Sequence, residues 1–243
     1  MEARQIPPMS NPTALVTGAT EGIGRAIGKA LGRAGYRLAV TARNAAKLDA
    51  LMDDLRRAGS VTAGRAADVG DPAQVEALLR HVTDTLGPIE VLVNNAGIAV
   101  AKPFVDTTLE EWDRTFATNV RGLYLLTRGV LPGMKTLGRG DIINIASLAG
   151  KNGIANAVAY SASKHAVMGF SRSLMLEVRK DGIRVITICP GSVDTPLLRN
   201  ATAFSPAFDR ILKAEDVAET VVDALKLPRR AMVSELEIRP SNP

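Results

Sequence analysis

The sequence predicts an α/β fold, a doubly wound parallel sheet with helices on both faces. Three observations predict it. Short apolar runs alternate with longer amphipathic segments along the chain, as consecutive βαβ units require. Hydrophobic residues make up 46% of the 243 positions and aromatics only 4%, so the core is built from Ala, Val, Leu and Ile, which suits strands buried on both faces. A glycine-rich turn, Gly18 to Gly24, stands between the first apolar run and the first amphipathic one.

Ala14–Thr17 reads as the first strand, and Ile23–Ala34 as a helix closed by Gly35. Arg37–Ala42 is the second strand. Ala45–Ala58 places Leu48, Leu51, Met52 and Leu55 at helical spacing and stops at Gly59. Val61–Ala67 is a third strand. Asp71 is an N-cap, Pro72 suits the first helical position, and Gly87-Pro88 ends that helix after Leu86. Ile89–Val93 is the fourth strand; Glu110–Leu137 forms one or two helices with Gly122 as a weak point. Asp141–Ala146 is the fifth strand, Tyr160–Lys180 a long helix, and Ile183–Cys189 the sixth strand, stopped by Pro190-Gly191. Pro196–Ile211 has no clear period and reads as a loop or short helix over the site, with Leu197, Leu198, Phe204 and Phe208 giving it an apolar or mixed inner face. Ala214–Leu225 is helical and Glu235–Ile238 a last strand. No repeat, linker or low-complexity block divides the chain. Residues 13–243 are therefore expected to form one domain, after a flexible extension (residues 1–12) with prolines at 7, 8 and 12.

Composition narrows the function classes. The single cysteine, Cys189, allows no internal disulfide and fits a reducing, cytoplasmic compartment; it is expected to be an inert core residue. No apolar run reaches the roughly 20 residues of a membrane span, and the N-terminus lacks a signal-peptide core, so no membrane partner is expected. The net charge of +5 is spread out: Arg56-Arg57 and Arg229-Arg230 are only pairs, and few aromatics are available for base stacking. Nucleic acid is therefore not an expected partner, whereas attraction of anionic cofactors or substrates is. His81 and His165 have no neighbours at ligand spacing, so no metal is expected. Trp112 is expected to pack a helix onto the sheet or an interface.

The glycine turn Thr17-Gly18-Ala19-Thr20-Glu21-Gly22-Ile23-Gly24 has the spacing G-x-x-x-G-x-G. A helix N-terminus offers unpaired N–H groups and partial positive charge, and glycines let the backbone approach a pyrophosphate. Gly18, Gly22 and Gly24 fit those tasks. Tyr160 and Lys164, four apart at a helix start, share a face. A free phenol has a pKa of about 10, and a nearby ammonium is expected to lower it, making Tyr160 an acid/base. Ser147, just past the fifth strand, can donate a hydrogen bond to a substrate oxygen.

Taken together, TGATEGIG (17–24), Asp68-Val69, NNAG (94–97), Asn119, Ser147, Tyr160-x-x-x-Lys164, and Pro190-Gly191 followed by Thr195-Pro196 resemble the short-chain dehydrogenase/reductase family in its compact single-domain branch. They stand in the family's order, over nearly the whole chain after Asn11. The resemblance implies a single-domain Rossmann fold and an NAD(P)-dependent enzyme that interconverts a carbonyl and an alcohol, with Asn119, Ser147, Tyr160 and Lys164 as the catalytic set. Lys164 would also hold the nicotinamide ribose, and Asn119 would anchor a water linking Lys164 to solvent. Gly18, Thr20, Gly22, Ile23 and Gly24 would meet the pyrophosphate half. Asp68 and Val69 would border the adenine, and Asn95, Ala96 and Gly97 would floor the adenosine half. Pro190, Gly191, Val193 and Thr195 would shape the nicotinamide pocket, with Thr195 near the carboxamide.

The second strand ends Thr41-Ala42-Arg43-Asn44, with Ala42 where an NAD-preferring relative carries an acid and Arg43 placed for a 2′-phosphate. NADP(H) is therefore expected over NAD(H). Glu21 disagrees, since many NADP-dependent relatives are basic there; it would have to turn away or pair with a cation such as Arg43 or Arg25. The substrate is expected to be a hydroxy acid or ketone. The ending SELEIRPSNP looks more like small hydroxy-acid dehydrogenases than like 3-oxoacyl-carrier-protein reductase, the alternative within the enzyme class. A non-catalytic nucleotide-sensing regulator is the alternative outside it, disfavoured because both Tyr160 and Lys164 are present. A nucleotide-sugar epimerase is disfavoured by the short chain after Thr195. The family also implies a homotetramer or homodimer, joined through the Glu110–Leu137 and Tyr160–Lys180 helices.

Overall fold

The computed structural model describes residues 11–201 and 206–241, so most of the expected N-terminal extension and Phe204 lie outside the described residues. Seven parallel strands form one sheet in the order β3-β2-β1-β4-β5-β6-β9. They are β1 (Thr13–Thr17), β2 (Arg37–Thr41), β3 (Thr62–Gly64), β4 (Ile89–Asn94), β5 (Gly140–Ile145), β6 (Ile183–Pro190) and β9 (Glu235–Ile238). The strands are buried nearly throughout, and their side chains alternate between two cores. Ala14 and Val16 of β1 point to one core with α1 (Gly22–Arg33), α2 (Ala45–Arg57) and α8 (Ala214–Lys226). Leu15 points to the other, with α3 (Pro72–Leu86), α5 (Gly122–Leu137) and the end of α6 (Val158–Val178). Strand order reverses at β1, which pairs with β2 on one side and β4 on the other. In such sheets the ligand crevice opens at the carboxyl ends of these strands.

The structure departs from the sequence expectation in four places. The third strand is shorter than Val61–Ala67, because beyond Gly64 the chain leaves the ladder and Ala67 N–H donates to the Ala42 carbonyl, delivering residues 67–69 to the crevice. The 110–137 segment divides into α4 (Leu109–Phe116) and α5, but the irregularity is a π-turn over Ala117–Arg121, not Gly122 itself. Gly122 is needed because a Cβ there would lie 2.7 Å from Val69 Cγ2. The long helix begins at Val158, two residues early. After β6, α7 (Pro196–Arg199) is one short helix, and β7 (Val193–Asp194) pairs with β8 (Leu212–Lys213) in a separate two-stranded ladder. Two-residue strands carry no period to read.

At the opposite end of the sheet from the crevice, buried Asp141 accepts hydrogen bonds from Arg184 and from Arg229 (2.7 Å). Arg184 also donates to the carbonyls of Leu225, Leu227 and Ala231, closing the C-terminus of α8. No described helix is long and apolar enough to cross a membrane.

Candidate active site

One cleft of about 1170 Å³ runs along the carboxyl ends of the strands, and most of the sequence-predicted site residues line it. Gly18, Thr20, Gly22, Ile23, Arg43, Asp68, Val69, Asn95, Ala96, Gly97, Ser147, Tyr160, Lys164, Pro190, Gly191, Val193 and Thr195 all line it, and the glycine turn meets the loop after β6 where a Cβ on Gly22 would lie 3.1 Å from Thr195 Cγ2. Gly24 and Asn119 lie just behind the walls.

The glycine turn is shaped by its neighbours. Gly18 and Gly22 have positive φ (62° and 53°), which a side chain would strain. Gly24 packs against the turn: a Cβ there would sit 2.3 Å from the Gly18 carbonyl oxygen. Asn95 clasps the turn to β4 by donating from Nδ2 to the carbonyls of Thr17 (2.8 Å) and Gly18 (3.3 Å). Thr17 Oγ1 accepts from the N–H groups of Asn95 and Ala96, both at 3.0 Å. Thus the wall of the cleft is a hydrogen-bonded unit built from two loops.

Asn119 lies in the π-turn and is buried. Its Oδ1 accepts from Ile98 N–H, and its Nδ2 donates to the Ile98 carbonyl and to Ser163 Oγ, all at 2.9 Å. The amide thereby ties the loop after β4 to α6. The π-turn, a feature frequent at functional sites, places it there.

Ser147 caps the short turn Leu148–Gly150, its Oγ accepting from Ala149 N–H at 3.1 Å. Its hydroxyl also hydrogen-bonds with Tyr160, so one residue caps the turn and meets the phenol. Lys164 is buried, and its Nζ donates to the Ile145 carbonyl (2.8 Å), 5.7 Å from the Tyr160 ring centroid. Burial brings the Lys164 pKa down to about 8. The expected lowering of Tyr160 by Lys164 is not what the cleft shows. Burial raises the phenol above its ordinary value, and hydrogen bonding with Ser147 acts the other way more weakly. The physical reason is geometric: the ammonium is directed at a backbone carbonyl and lies over the ring, and burial disfavours the phenolate. Tyr160 therefore rests as a protonated acid, the form a carbonyl reduction needs.

Other side chains singled out in the sequence find these partners. Glu21 pairs with neither Arg43 nor Arg25; its carboxylate meets Lys47 Nζ at 3.2 Å. Arg25 is held by Asp54, also at 3.2 Å. Among the described residues Arg43 has no carboxylate partner. Trp112 stacks on Phe116 within α4, ring centroids 4.7 Å apart. Cys189 is fully buried and pushed up to about 11 by burial, as an inert core thiol should be.

Sequence reasoning missed Thr17, Ser163, Lys47 and a buried polar chain beneath the cleft. In that chain Asn94 donates to Asn144 (2.9 Å) and Asn144 donates to Ser171 (2.8 Å), joining β4, β5 and α6. A polar Asn144 inside the apolar run Ile142–Ile145 was the available signal.

The residues fit a nicotinamide dinucleotide: a glycine cradle with no room for a Cβ at Gly18 or Gly24, a cation beside it with no carboxylate partner among the described residues, and a set of half-buried Ser147 and Tyr160 with buried Lys164. Fold and cleft together define a dinucleotide-binding oxidoreductase. The short chain dehydrogenase family model matches residues 12–205, and this chain belongs to that family. A Streptomyces coelicolor protein that carries the name ketoacyl reductase is 42% identical over 209 residues, covering 82% of this chain and 80% of its own. An actinorhodin polyketide ketoreductase solved with NADPH superposes with a TM-score of 0.89 at 36% identity, over 95% of this chain and 96% of its own. A serine dehydrogenase solved with NADP+ has a TM-score of 0.86 at 33% identity, with 94% of both chains covered. The protein is thus a short-chain dehydrogenase/reductase enzyme that binds NAD(P).

Proposed function

We propose that the enzyme is an NADPH-dependent carbonyl reductase, acting on an apolar ketone or ketoacyl substrate. The observation that carries this reading is the division of the cleft. Its cations, Arg43 and Lys47, stand at the glycine-turn end, whereas the opening beyond Ser147 and Tyr160 is bordered by Ile98, Leu148, Ile154, Leu197 and Leu198. Among the described residues that end offers Lys164 alone as a cation, and Lys164 is directed at a backbone carbonyl. A free hydroxy acid would leave its carboxylate unpaired there, at a desolvation cost of several kcal/mol. A ketone or thioester has no such charge. This favours the ketoacyl alternative over the hydroxy-acid reading of the C-terminal sequence, and the printed names of the relatives point the same way.

In this reading the bound nicotinamide supplies a hydride to the carbonyl carbon. Tyr160 donates its proton to the carbonyl oxygen, a step that typically contributes about 10²- to 10⁴-fold. Ser147 donates a hydrogen bond to the same oxygen as charge develops. Lys164 holds the ribose and returns a proton toward Tyr160. Both Asn119 amide protons are engaged within the protein, so a relay water would be held by an Asn119 oxygen. Asp68, Val69 and Asn95–Gly97 would border the adenosine, and Pro190, Gly191, Val193 and Thr195 would border the nicotinamide. The regulator alternative gains nothing from a complete catalytic set.

The test is calorimetric binding of NADPH and NADH to the wild type and Arg43→Ala, with turnover of a β-ketothioester against its free acid. Tighter binding of NADPH by at least about tenfold, abolished in Arg43→Ala, supports the cofactor assignment; about 1.4 kcal/mol is at stake. Preference for NADH, or equal rates with the free acid, contradicts it. We also infer a homo-oligomer through α4, α5 and α6, where Leu109 and Tyr124 are exposed beside Phe116 and Phe170. A monomer by light scattering contradicts that.

A further inference from the structure

The cleft contains one charged pair for which the reaction has no use. Glu21, inside the glycine turn, and Lys47, in the first turn of α2, both line the cleft beside Arg43, and their charges meet at 3.2 Å. Both side chains are more than half exposed (53% and 60%), so the bond itself is worth little to the fold. Lys47 is moreover a poor local choice. It is the third residue of α2, whose cap Asn44 accepts from Lys47 N–H, and helix starts favour an acid there over a cation. No acidic residue stands in that first turn. A lysine set against the helix dipole, paired only with a carboxylate that repels phosphate, needs another reason to be there.

We propose that Lys47 is a second cation for the cofactor 2′-phosphate, acting with Arg43, and that Glu21 is a built-in counterweight that holds Lys47 in place and moderates the preference for the phosphorylated cofactor. This rests on the NADP(H) reading and deepens it. Arg43 and Lys47 bring two positive charges to this end of the cleft against the carboxylates of Glu21 and Asp68, so Lys47 adds a charge toward a dianionic group that Arg43 alone does not supply. When that group binds, Lys47 is shared between it and Glu21. Neutralising Glu21 releases Lys47 entirely to the phosphate and removes a repulsion. Removing Lys47 does the reverse and leaves Glu21 uncompensated.

Calorimetry with adenosine 2′,5′-bisphosphate and with 5′-AMP isolates this end of the cofactor from catalysis. Lys47→Ala is expected to weaken the bisphosphate about fivefold and 5′-AMP less than about twofold, with an unchanged melting temperature. Glu21→Gln is expected to strengthen the bisphosphate about threefold. In the Glu21→Gln background, Lys47→Ala should still weaken it, which separates direct phosphate contact from mere neutralisation of Glu21. No loss in Lys47→Ala, or a loss that vanishes in the Glu21→Gln background, overturns the inference. If the wild type prefers the bisphosphate and only Arg43→Ala abolishes that preference, the inference fails and the NADP(H) reading stands. If the wild type binds both ligands equally, the NADP(H) reading fails and takes the inference with it.

Discussion

Replacing Lys164 by Met should make the protein more stable while it stops the chemistry. Lys164 is buried beneath the cleft, and burial lowers its pKa from 10.5 to about 8. At about 1.4 kcal/mol for each pH unit between those values, keeping this ammonium inside costs about 3 kcal/mol at neutral pH. Methionine matches the length of the stem without the charge. Its cost is the Ile145 carbonyl, which loses its 2.8 Å donor, about 1–2 kcal/mol. The net gain is about 1–2 kcal/mol, or a melting temperature higher by roughly 3–6 °C in a chain of this size. The sign with pH follows from the same shift. The folded-state pKa lies below the unfolded one, so the penalty is full below pH 8 and fades as pH rises from 8 toward 10.5. The stability difference between variant and wild type should therefore shrink across that window; Tyr160, present in both, drops out of the difference. Differential scanning calorimetry of the cofactor-free proteins at pH 7 and pH 9.5 measures it, with ketone turnover assayed in parallel. A variant less stable than wild type, or a gap that does not change with pH, would refute the reasoning.

On the proposed mechanism Ser147→Ala removes the second donor to the substrate oxygen and is expected to lower kcat by about 10²- to 10³-fold in steady-state assays, with cofactor affinity unchanged. Asn119→Ala breaks three hydrogen bonds that tie the loop after β4 to α6, and should lower stability by about 2–3 kcal/mol in denaturant titration, with a parallel loss of cofactor affinity. Asp141→Ala leaves Arg184 buried without its carboxylate, far from the cleft, and should cost about 3–5 kcal/mol of stability while KM for both substrates is retained at a temperature where the variant is folded.

The order of strands and helices was legible because parallel strands are near-continuous apolar runs and their crossovers are long amphipathic helices. Boundaries moved where a hydrogen bond or a close approach, not a period, decides them: Gly64 leaving the ladder, and Gly122 facing Val69. The Tyr160–Lys164 pair was legible because spacing on one helix is readable from sequence, and Ser147 because it directly follows the fifth strand. The sign of the Tyr160 shift was not, because it depends on burial and on which acceptor the Lys164 ammonium faces. The partner of Glu21 was hidden for a similar reason. Lys47 is 26 residues away, brought across only by the packing of α2 beside the glycine turn. The β7–β8 ladder is too short to announce itself at all.

The central claim, that Tyr160 is the acid of an NADPH-dependent carbonyl reduction, is tested most directly by Tyr160→Phe. NADPH oxidation in the presence of a β-ketothioester and NADPH affinity should be measured on the same preparation as the wild type. The account predicts a fall in turnover of about 10²- to 10⁴-fold with NADPH affinity within about twofold of wild type. Turnover within about tenfold of wild type, with the cofactor bound normally, would contradict it.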